Sequence, residues 1–176
     1  MNDIKLFETS SGAEAIVIGS GNKIFYIRLG DESPLWEYNL DSEVIWLSIS
    51  ANGKFIAASD ENKNIYLLFK GTRNNPNLVF KYKLDSKVEG LDLYGIGEYF
   101  YVLRLVVTTK NSIYIFSLNQ EGPLWSYTLE SEITVAEMPY NGKLIAVGTN
   151  SGDLYIFLTF KEKMLKKYSL ASKITS

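Results

Sequence analysis

The 176-residue sequence predicts an all-β fold of four repeated units, each a four-stranded antiparallel sheet. Three observations lead to this prediction. Tyrosine recurs along the whole chain at nearly constant spacing, which is typical of a repeat protein. Short runs of β-branched and aromatic residues alternate with turn residues, as they do in strands and hairpins. No segment carries the long apolar stripe of an amphipathic helix.

Two series of aromatic residues define the repeat. The first occupies similar segment ends, such as Pro34-Leu-Trp-Glu-Tyr38 and Pro123-Leu-Trp-Ser-Tyr127, and consists of Tyr38, Tyr82, Tyr127 and Tyr168. The second consists of Phe25, Tyr66, Tyr114 and Tyr155. The shortest intervals in both series give a basic period of about 40 residues. The longer intervals place small loop insertions within 70–77 and 91–112.

The second unit shows the four predicted strands in order. Its apolar runs occupy residues 44–50, 55–59, 65–69 and 78–84. The pair Asn52-Gly53 separates the first two runs, and Asn141-Gly142 takes the same place in the fourth unit. Asn-Gly pairs are typical of hairpin turns in which both central residues have positive φ, so we expect that geometry here.

The frame divides the chain into a single domain of consecutive units. Their bounds are about 1–40, 41–84, 85–129 and 130–170, and residues 171–176 begin a fifth unit. The third unit contains the longest apolar run, at 99–107. Its β-branched and aromatic content predicts a lengthened or bulged second strand, and the alternative is a short buried helix.

Such a period, combined with four short antiparallel strands, is the pattern of a β-propeller blade. The segments Asn141-Gly-Lys-Leu-Ile-Ala-Val-Gly148, Leu154-Tyr-Ile-Phe157 and Leu124-Trp-Ser-Tyr127 resemble the pyrroloquinoline-quinone-like branch of propellers. The chain is also similar to WD-repeat propellers in period, although it lacks their Gly-His and Trp-Asp pairs. The resemblance implies a propeller of four blades, or half of an eight-bladed ring. Many quinoproteins of that branch carry a vicinal disulfide, which this chain cannot form, so no cofactor is expected.

The composition excludes several function classes. The sequence contains no cysteine and no histidine, which removes disulfides, Cys/His zinc sites, thiolate nucleophiles and Ser-His-Asp triads. It has 18 basic and 20 acidic residues, and a net charge of −2 gives no general attraction for nucleic acid. No apolar run reaches the ~18 residues that span a bilayer. We therefore predict neither nucleic acid nor membrane as a partner, no metal or catalytic residue, and a cytoplasmic location.

An acidic residue stands at three of the unit junctions: Asp41, Asp85 and Glu130. If these junctions lie at one mouth of a central channel, the carboxylates could form a ring that binds a cation or a basic ligand. The alternative is turn chemistry, in which each acid caps a bend of its own.

Large aromatic residues occupy one repeat position in three units: Trp36, Phe80 and Trp125, with Lys166 in the fourth. One interpretation makes them partner contacts on the outer strands. The other makes them packing material between neighbouring blades.

The sequence contains no constellation typical of an active site, so the leading hypothesis is a non-enzymatic module for protein–protein interaction or self-assembly. A four-blade piece leaves two sheet faces uncovered, and two copies would close an eight-bladed ring as a homodimer. The alternative is a fragment or subunit of a propeller enzyme, or of a propeller that binds a small ligand or cation across a subunit interface.

Overall fold

The fold was analysed in a computed structural model that describes residues 4–8, 14–71, 75–95, 103–139 and 141–175. The described residues form strands and turns and contain no helix, and so none of them belongs to a helix that could cross a membrane. The strands make four separate sheets of four strands each. The predicted all-β class, with four blades of four antiparallel strands, is confirmed.

Each blade is an antiparallel meander in which consecutive strands pair in chain order. The first blade contains β1 (Ile4–Glu8), β2 (Glu14–Ser20), β3 (Lys23–Arg28) and β4 (Trp36–Asn39). The second contains β5 (Val44–Ile49), β6 (Phe55–Asp60), β7 (Asn64–Phe69) and β8 (Asn77–Lys83). The third contains β9 (Gly90–Tyr94), β10 (Arg104–Thr108), β11 (Ser112–Phe116) and β12 (Pro123–Thr128). The fourth contains β13 (Ile133–Glu137), β14 (Leu144–Thr149), β15 (Asp153–Leu158) and β16 (Lys163–Ser169).

The first strand of each blade lies on the inner side of the arc. Strand β5 contacts β1 and β2 of the blade before it and β9 of the blade after it. The fourth strand pairs with the third alone within its sheet, and it forms the outer edge. This arrangement gives the arc a concave inner wall of first strands and a convex outer wall of fourth strands.

Three hydrophobic cores hold the blades together, one at each junction of neighbouring blades. The core between blades one and two includes Ile24, Trp36 and Tyr66. The core between blades two and three includes Phe80 and Phe116. The core between blades three and four likewise combines aromatic and aliphatic side chains, among them Trp125 and Phe157. No such core joins blade four to blade one within the described ranges, and we call the arrangement of the described blades the open arc.

Backbone hydrogen bonds repeat at the blade junctions and explain why the frame is regular. The residue after each fourth strand donates its N–H to the turn between the second and third strands of the same blade, at 2.8–3.0 Å: Leu40 to Asn22, Leu84 to Lys63, Leu129 to Asn111 and Leu170 to Gly152. The chain then enters the next blade through a second bond. Val44 donates to Gly21 and Ile133 donates to Lys110, and Ile174 donates to Thr149 in a similar way. The segment 171–175 therefore runs where a fifth unit would begin.

Two details of the strands and turns differ from the predictions. Gly53 and Gly142 have positive φ, but Lys63 is the only non-glycine residue with positive φ in the described part, so the prediction for both asparagines is wrong. The asparagine side chains instead accept backbone N–H bonds two residues ahead, from Lys54 and Lys143, at 3.1 Å.

The second difference concerns the second strand of blade three. Strand β10 starts at Arg104 and pairs with both neighbours without a register shift, so the described strand carries no bulge. Residues 96–102, which include the start of the predicted lengthened strand, lie outside the described residues.

Candidate interaction surface

Blade four presents an uncovered sheet face at the end of the arc. The antiparallel register places Leu154 beside Tyr168 and Ile156 beside Lys166, because paired residues share one face of a sheet. Leu144 lies on the same face, and Leu170 follows the outer strand. We call this set the open face: Leu144, Leu154, Ile156, Lys166, Tyr168 and Leu170.

Comparison with the other blades shows that the open face has the residues of a blade junction without its partner. Leu40, Leu84 and Leu129 end the other outer strands, and they are only 3–4% exposed. Leu170 holds the same position in blade four and is 54% exposed. Tyr168 is 48% exposed, whereas its counterpart Tyr127 packs against Phe157 of the following blade with ring centroids 5.1 Å apart. Tyr168 and Leu170 keep the residue types of the other blades, and no described blade covers them.

The opposite end of the arc has a corresponding surface on blade one. Ile16, Ile18, Phe25 and Ile27 share one face of that blade, and we call them the leading face. These four side chains are half-buried. In blade four, the matching positions pack against blade three and are buried: Ile145, Val147, Tyr155 and Phe157. The two ends are therefore the two halves of a junction of the kind that occurs three times within the chain.

The three aromatic residues at one repeat position lie inside the blade junctions. Trp36, Phe80 and Trp125 are 4–5% exposed. Trp36 stacks on Tyr26, and Phe80 and Trp125 contact aromatic rings of the following blade at 5.6 and 5.7 Å. They fill the space between blades. A partner could contact them only if they were exposed on the outer surface, and they are buried.

Lys166 takes the position of those aromatic residues in blade four. Its side chain is exposed, and Nζ lies 5.5 Å from the centroid of the Tyr168 ring. The open face thus combines apolar side chains with one cation at its centre. An aromatic residue here would add to the exposed apolar area, which a lysine avoids.

The acidic residues of the junctions lie in separate places. Asp41 forms an ion pair with Lys81 on the outer strand of the next blade, and this contact lowers the pKa of the Asp41 carboxyl. Asp85 accepts a 2.7 Å bond from Lys63 Nζ through its backbone oxygen. Glu130 lines a shallow surface cavity beside Glu132, which pairs with Lys110.

No group of three acidic side chains that could hold a metal occurs in the part of the chain that the structure describes. The Asp41 carboxylate pairs with a lysine, and Asp85 accepts a lysine bond through its backbone oxygen, each in its own junction.

A buried polar network in blade two was not foreseen from the sequence. Asp60 is 3% exposed and accepts bonds from the Asn64 backbone at 2.9 Å, the Asn64 amide at 2.8 Å and the Tyr66 hydroxyl at 2.9 Å. The Tyr66 hydroxyl in turn accepts the Asp41 N–H at 3.1 Å. Burial raises the pKa of Tyr66, and the Asp60 carboxylate adds to the rise. The network links the turn between β6 and β7 to the backbone of the junction between blades one and two, so its role is structural.

The concave wall contains a cleft of about 370 Å³ between the first strands of blades two, three and four. Trp46, Asp92, Thr108 and Thr134 are among its lining residues. The Asp92 carboxylate accepts a 2.5 Å hydrogen bond from the Ser48 hydroxyl. Such a cleft can offer hydrogen bonds and one carboxylate to a ligand. The sequence pattern did not indicate it, because the three strands come from separate repeats.

The fold is similar to that of solved β-propellers. BamB from Moraxella catarrhalis superposes with a TM-score of 0.69 at 12% identity, over 94% of this chain and 47% of that protein. Sqt1 from Saccharomyces cerevisiae gives 0.73 at 14%, over 93% and 50%. The Cps50 (Swd1) β-propeller domain from Myceliophteria thermophila gives 0.68 at 14%, over 97% and 57%. The chain thus spans about half the length of these proteins.

At such identities the likeness concerns the fold. No protein-family profile matches the chain, and neither does any curated protein sequence. The four sheets and the likeness to these structures show a fold of four β-propeller blades.

Proposed function

We propose that the chain is a non-enzymatic protein-interaction module that associates through the uncovered faces at the two ends of its arc. One observation carries the proposal: Leu170 is 54% exposed, whereas Leu129 in the same position of blade three is 3% exposed beneath the next blade. The propeller fold of the similar structures supports an interaction role in general terms. The cytoplasmic location expected from the composition is part of this proposal.

The energetics favour association at the open face. Burial of apolar surface contributes about 25 cal/mol per Å², and a stable interface buries about 1,600 Å² in total. A closed ring of two copies contains two junctions, and each would cover the exposed Tyr168 and Leu170 of one copy. Loss of rotational freedom and side-chain ordering offset a large part of the gain. The self-assembly proposed here is therefore a homodimer that completes eight blades.

A second candidate function is the binding of a small ligand in the inner cleft. The observation that favours it is the cleft of about 370 Å³, where Asp92 and Trp46 lie on neighbouring strands. The lining is largely polar, with Asp92, Thr108 and Thr134 beside Trp46, and a concave site where polar groups converge can orient a ligand. Ring closure would place a second set of inner strands opposite this cleft. A propeller enzyme or a ligand-binding propeller with a site across the interface belongs to this candidate.

The interaction role can be tested with the variant Leu170→Lys and the matched control Leu78→Lys. Leu78 is 45% exposed on the outer strand of blade two and lies on neither end face. The measurement is mass by light scattering from about 1 to 100 µM protein. We expect the wild-type mass to rise above 19.9 kDa, Leu170→Lys to weaken this at least tenfold, and the control to behave like wild type. Equal behaviour of all three would contradict the proposal.

A further inference from the structure

We propose that the partner of the open face is the leading face of a second copy, selected by an ion pair between Lys166 of one copy and Glu37 of the other. The inference rests on the proposed function and names the partner of the same surface. It follows from the junctions within the chain, which supply the template for the junction between copies.

The template is the junction between blades one and two. Lys81 lies on the outer strand of blade two, opposite Tyr66 in the register, and its Nζ is 5.3 Å from the centroid of that ring. It reaches back to blade one and pairs with Asp41. Tyr38 packs against the hydrophobic core that contains Tyr66, so Lys81 and Tyr38 lie at the same junction. A charged residue here therefore sits between two outer strands.

The register assigns the equivalent residues at the ends of the arc. Glu37 is opposite Phe25 in blade one, as Lys81 is opposite Tyr66 in blade two. Tyr168 is opposite Leu154, which makes it the counterpart of Tyr38 opposite Ile24. If the leading face of a second copy follows blade four as blade two follows blade one, Glu37 of that copy lies beside Tyr168. Lys166 already lies over the Tyr168 ring at 5.5 Å.

The charges across the proposed junction are complementary, as in the template, although Lys166 takes the repeat position of Trp36 and not that of Asp41. Within the chain, the turn between blades one and two supplies the acid Asp41, and blade two supplies the base Lys81. Between copies, blade four supplies the base Lys166 and blade one supplies the acid Glu37. A second lysine, Lys163, lies on the same face of blade four as Lys166, opposite Leu158 in the register.

Glu37 can exchange its present ion pair for one with Lys166 of another copy with little loss of stability. Its present partner is Lys23 at 2.8 Å, and both side chains are substantially exposed. Exposed pairs of this kind contribute little to stability, so an exchange of partners is easy. Charge complementarity across an interface mainly provides specificity, while the apolar residues around it provide affinity. If the open face of each copy binds the leading face of the other, the two contacts close a ring with two-fold symmetry.

Charge reversal at the two positions provides the experiment. Lys166→Glu and Glu37→Lys are prepared singly, together in one chain, and as a mixture of the two single variants. Lys54→Glu and Glu61→Lys serve as controls, because these are exposed turn residues of blade two away from both end faces. The measurement is the association constant from light scattering or sedimentation at the same concentrations for every sample.

We expect each single variant to associate at least tenfold more weakly than wild type, because both junctions of its homodimer would hold like charges. In the mixture, one junction has the reversed pair and the other has the original pair, so association at twice the chain mass is restored. The double variant should be restored as well, and the controls should match wild type.

Other results overturn the inference. If the single variants associate like wild type, or if the mixture stays monomeric, the ion pair does not select the partner. Particles larger than two copies would contradict the closed ring. These outcomes differ from a failure of the proposed function, which shows as a wild-type chain that stays at 19.9 kDa and is indifferent to Leu170→Lys.

Discussion

The side chain of Asp60 shows how one buried carboxylate organises a blade junction. It accepts three hydrogen bonds from Asn64 and Tyr66 and is nearly inaccessible to solvent. We expect Asp60→Ala to lower the free energy of unfolding by about 3 kcal/mol, because buried donors are left without acceptors. Urea unfolding measures this. Tyr66→Phe keeps the ring and removes one donor, so a loss of about 1 kcal/mol is expected. Equal, near-zero losses for both would show that the network does not stabilise the fold.

The lowered pKa values of three carboxyl groups predict how the stability of the fold changes with pH. Contacts lower the pKa values of Asp41, Glu132 and Asp153 in the folded chain, and for Asp153 the first cause is the hydrogen bond from Ser169, followed by the Lys167 contact. A lowered folded pKa means that the stabilisation is complete above the unfolded pKa, near 4, and is lost as the pH falls through the folded value. The urea midpoint should therefore fall steadily below pH 4.

Asp153→Asn tests the contribution of one of these groups. The variant has no carboxylate to protonate, so its urea midpoint should depend less on pH between 5 and 2 than that of wild type. Glu61→Gln, in an exposed turn, is the control and should keep the wild-type slope. If the urea midpoint of Asp153→Asn falls more steeply with decreasing pH than that of wild type, the Asp153 carboxylate does not stabilise the fold.

Among the elements, the outer strands β12 and β16 have similar sequences and different surroundings. We expect Leu129→Ala to lower the free energy of unfolding by about 3 kcal/mol, because a leucine in a packed core leaves a cavity. Leu170→Ala should change it by less than about 0.5 kcal/mol at low protein concentration, where the open face is solvated. Chemical denaturation measures both. A large loss for Leu170→Ala in the monomer would mean that this face is already covered.

The terminal segment 171–175 behaves as the start of another element, and Gly148 tests how it packs. A Cβ at Gly148 would lie 2.6 Å from Ile174 Cγ2 and 2.9 Å from Val135 Cγ1. Gly148→Ala should therefore destabilise the fold by about 2 kcal/mol through overpacking. Gly122→Ala is the control, since its Cβ would meet Tyr82 at an ordinary 3.5 Å. A neutral Gly148→Ala, measured by thermal and urea unfolding, would show that the segment does not pack there.

At the scale of the whole molecule, four sheets and three interblade cores account for the described chain. The far-ultraviolet circular dichroism spectrum should be that of an all-β protein. Propeller blades leave little room for helix, so a helix content above about 15% would contradict the architecture.

The open arc also has a consequence for concentration dependence. In the proposed homodimer its two end faces meet head to tail. Any stabilisation that comes from this contact must rise with protein concentration, because association adds free energy only to the folded state. This separates it from the cores inside the arc, whose contribution does not depend on concentration.

The sequence by itself determined the strands, their order and the four-blade frame. Alternating apolar residues and turn chemistry act over a few positions, and the repeat period carries them along the chain, so local physics was sufficient. The same reasoning could not separate the two roles of Trp36, Phe80 and Trp125, since burial depends on a neighbour in another repeat. Nor could it identify Lys81 as the partner of Asp41, because the two residues lie far apart along the chain.

The tertiary structure alone decided which surfaces are covered. Leu129 and Leu170 end similar strands and carry the same side chain, yet one is 3% exposed and the other 54%. The inner cleft and the contact of Ile174 with Gly148 likewise arise where separate repeats meet. Hydrophobic burial is non-directional and depends on what lies across the interface, and that neighbour is not encoded in the residues of the strand itself.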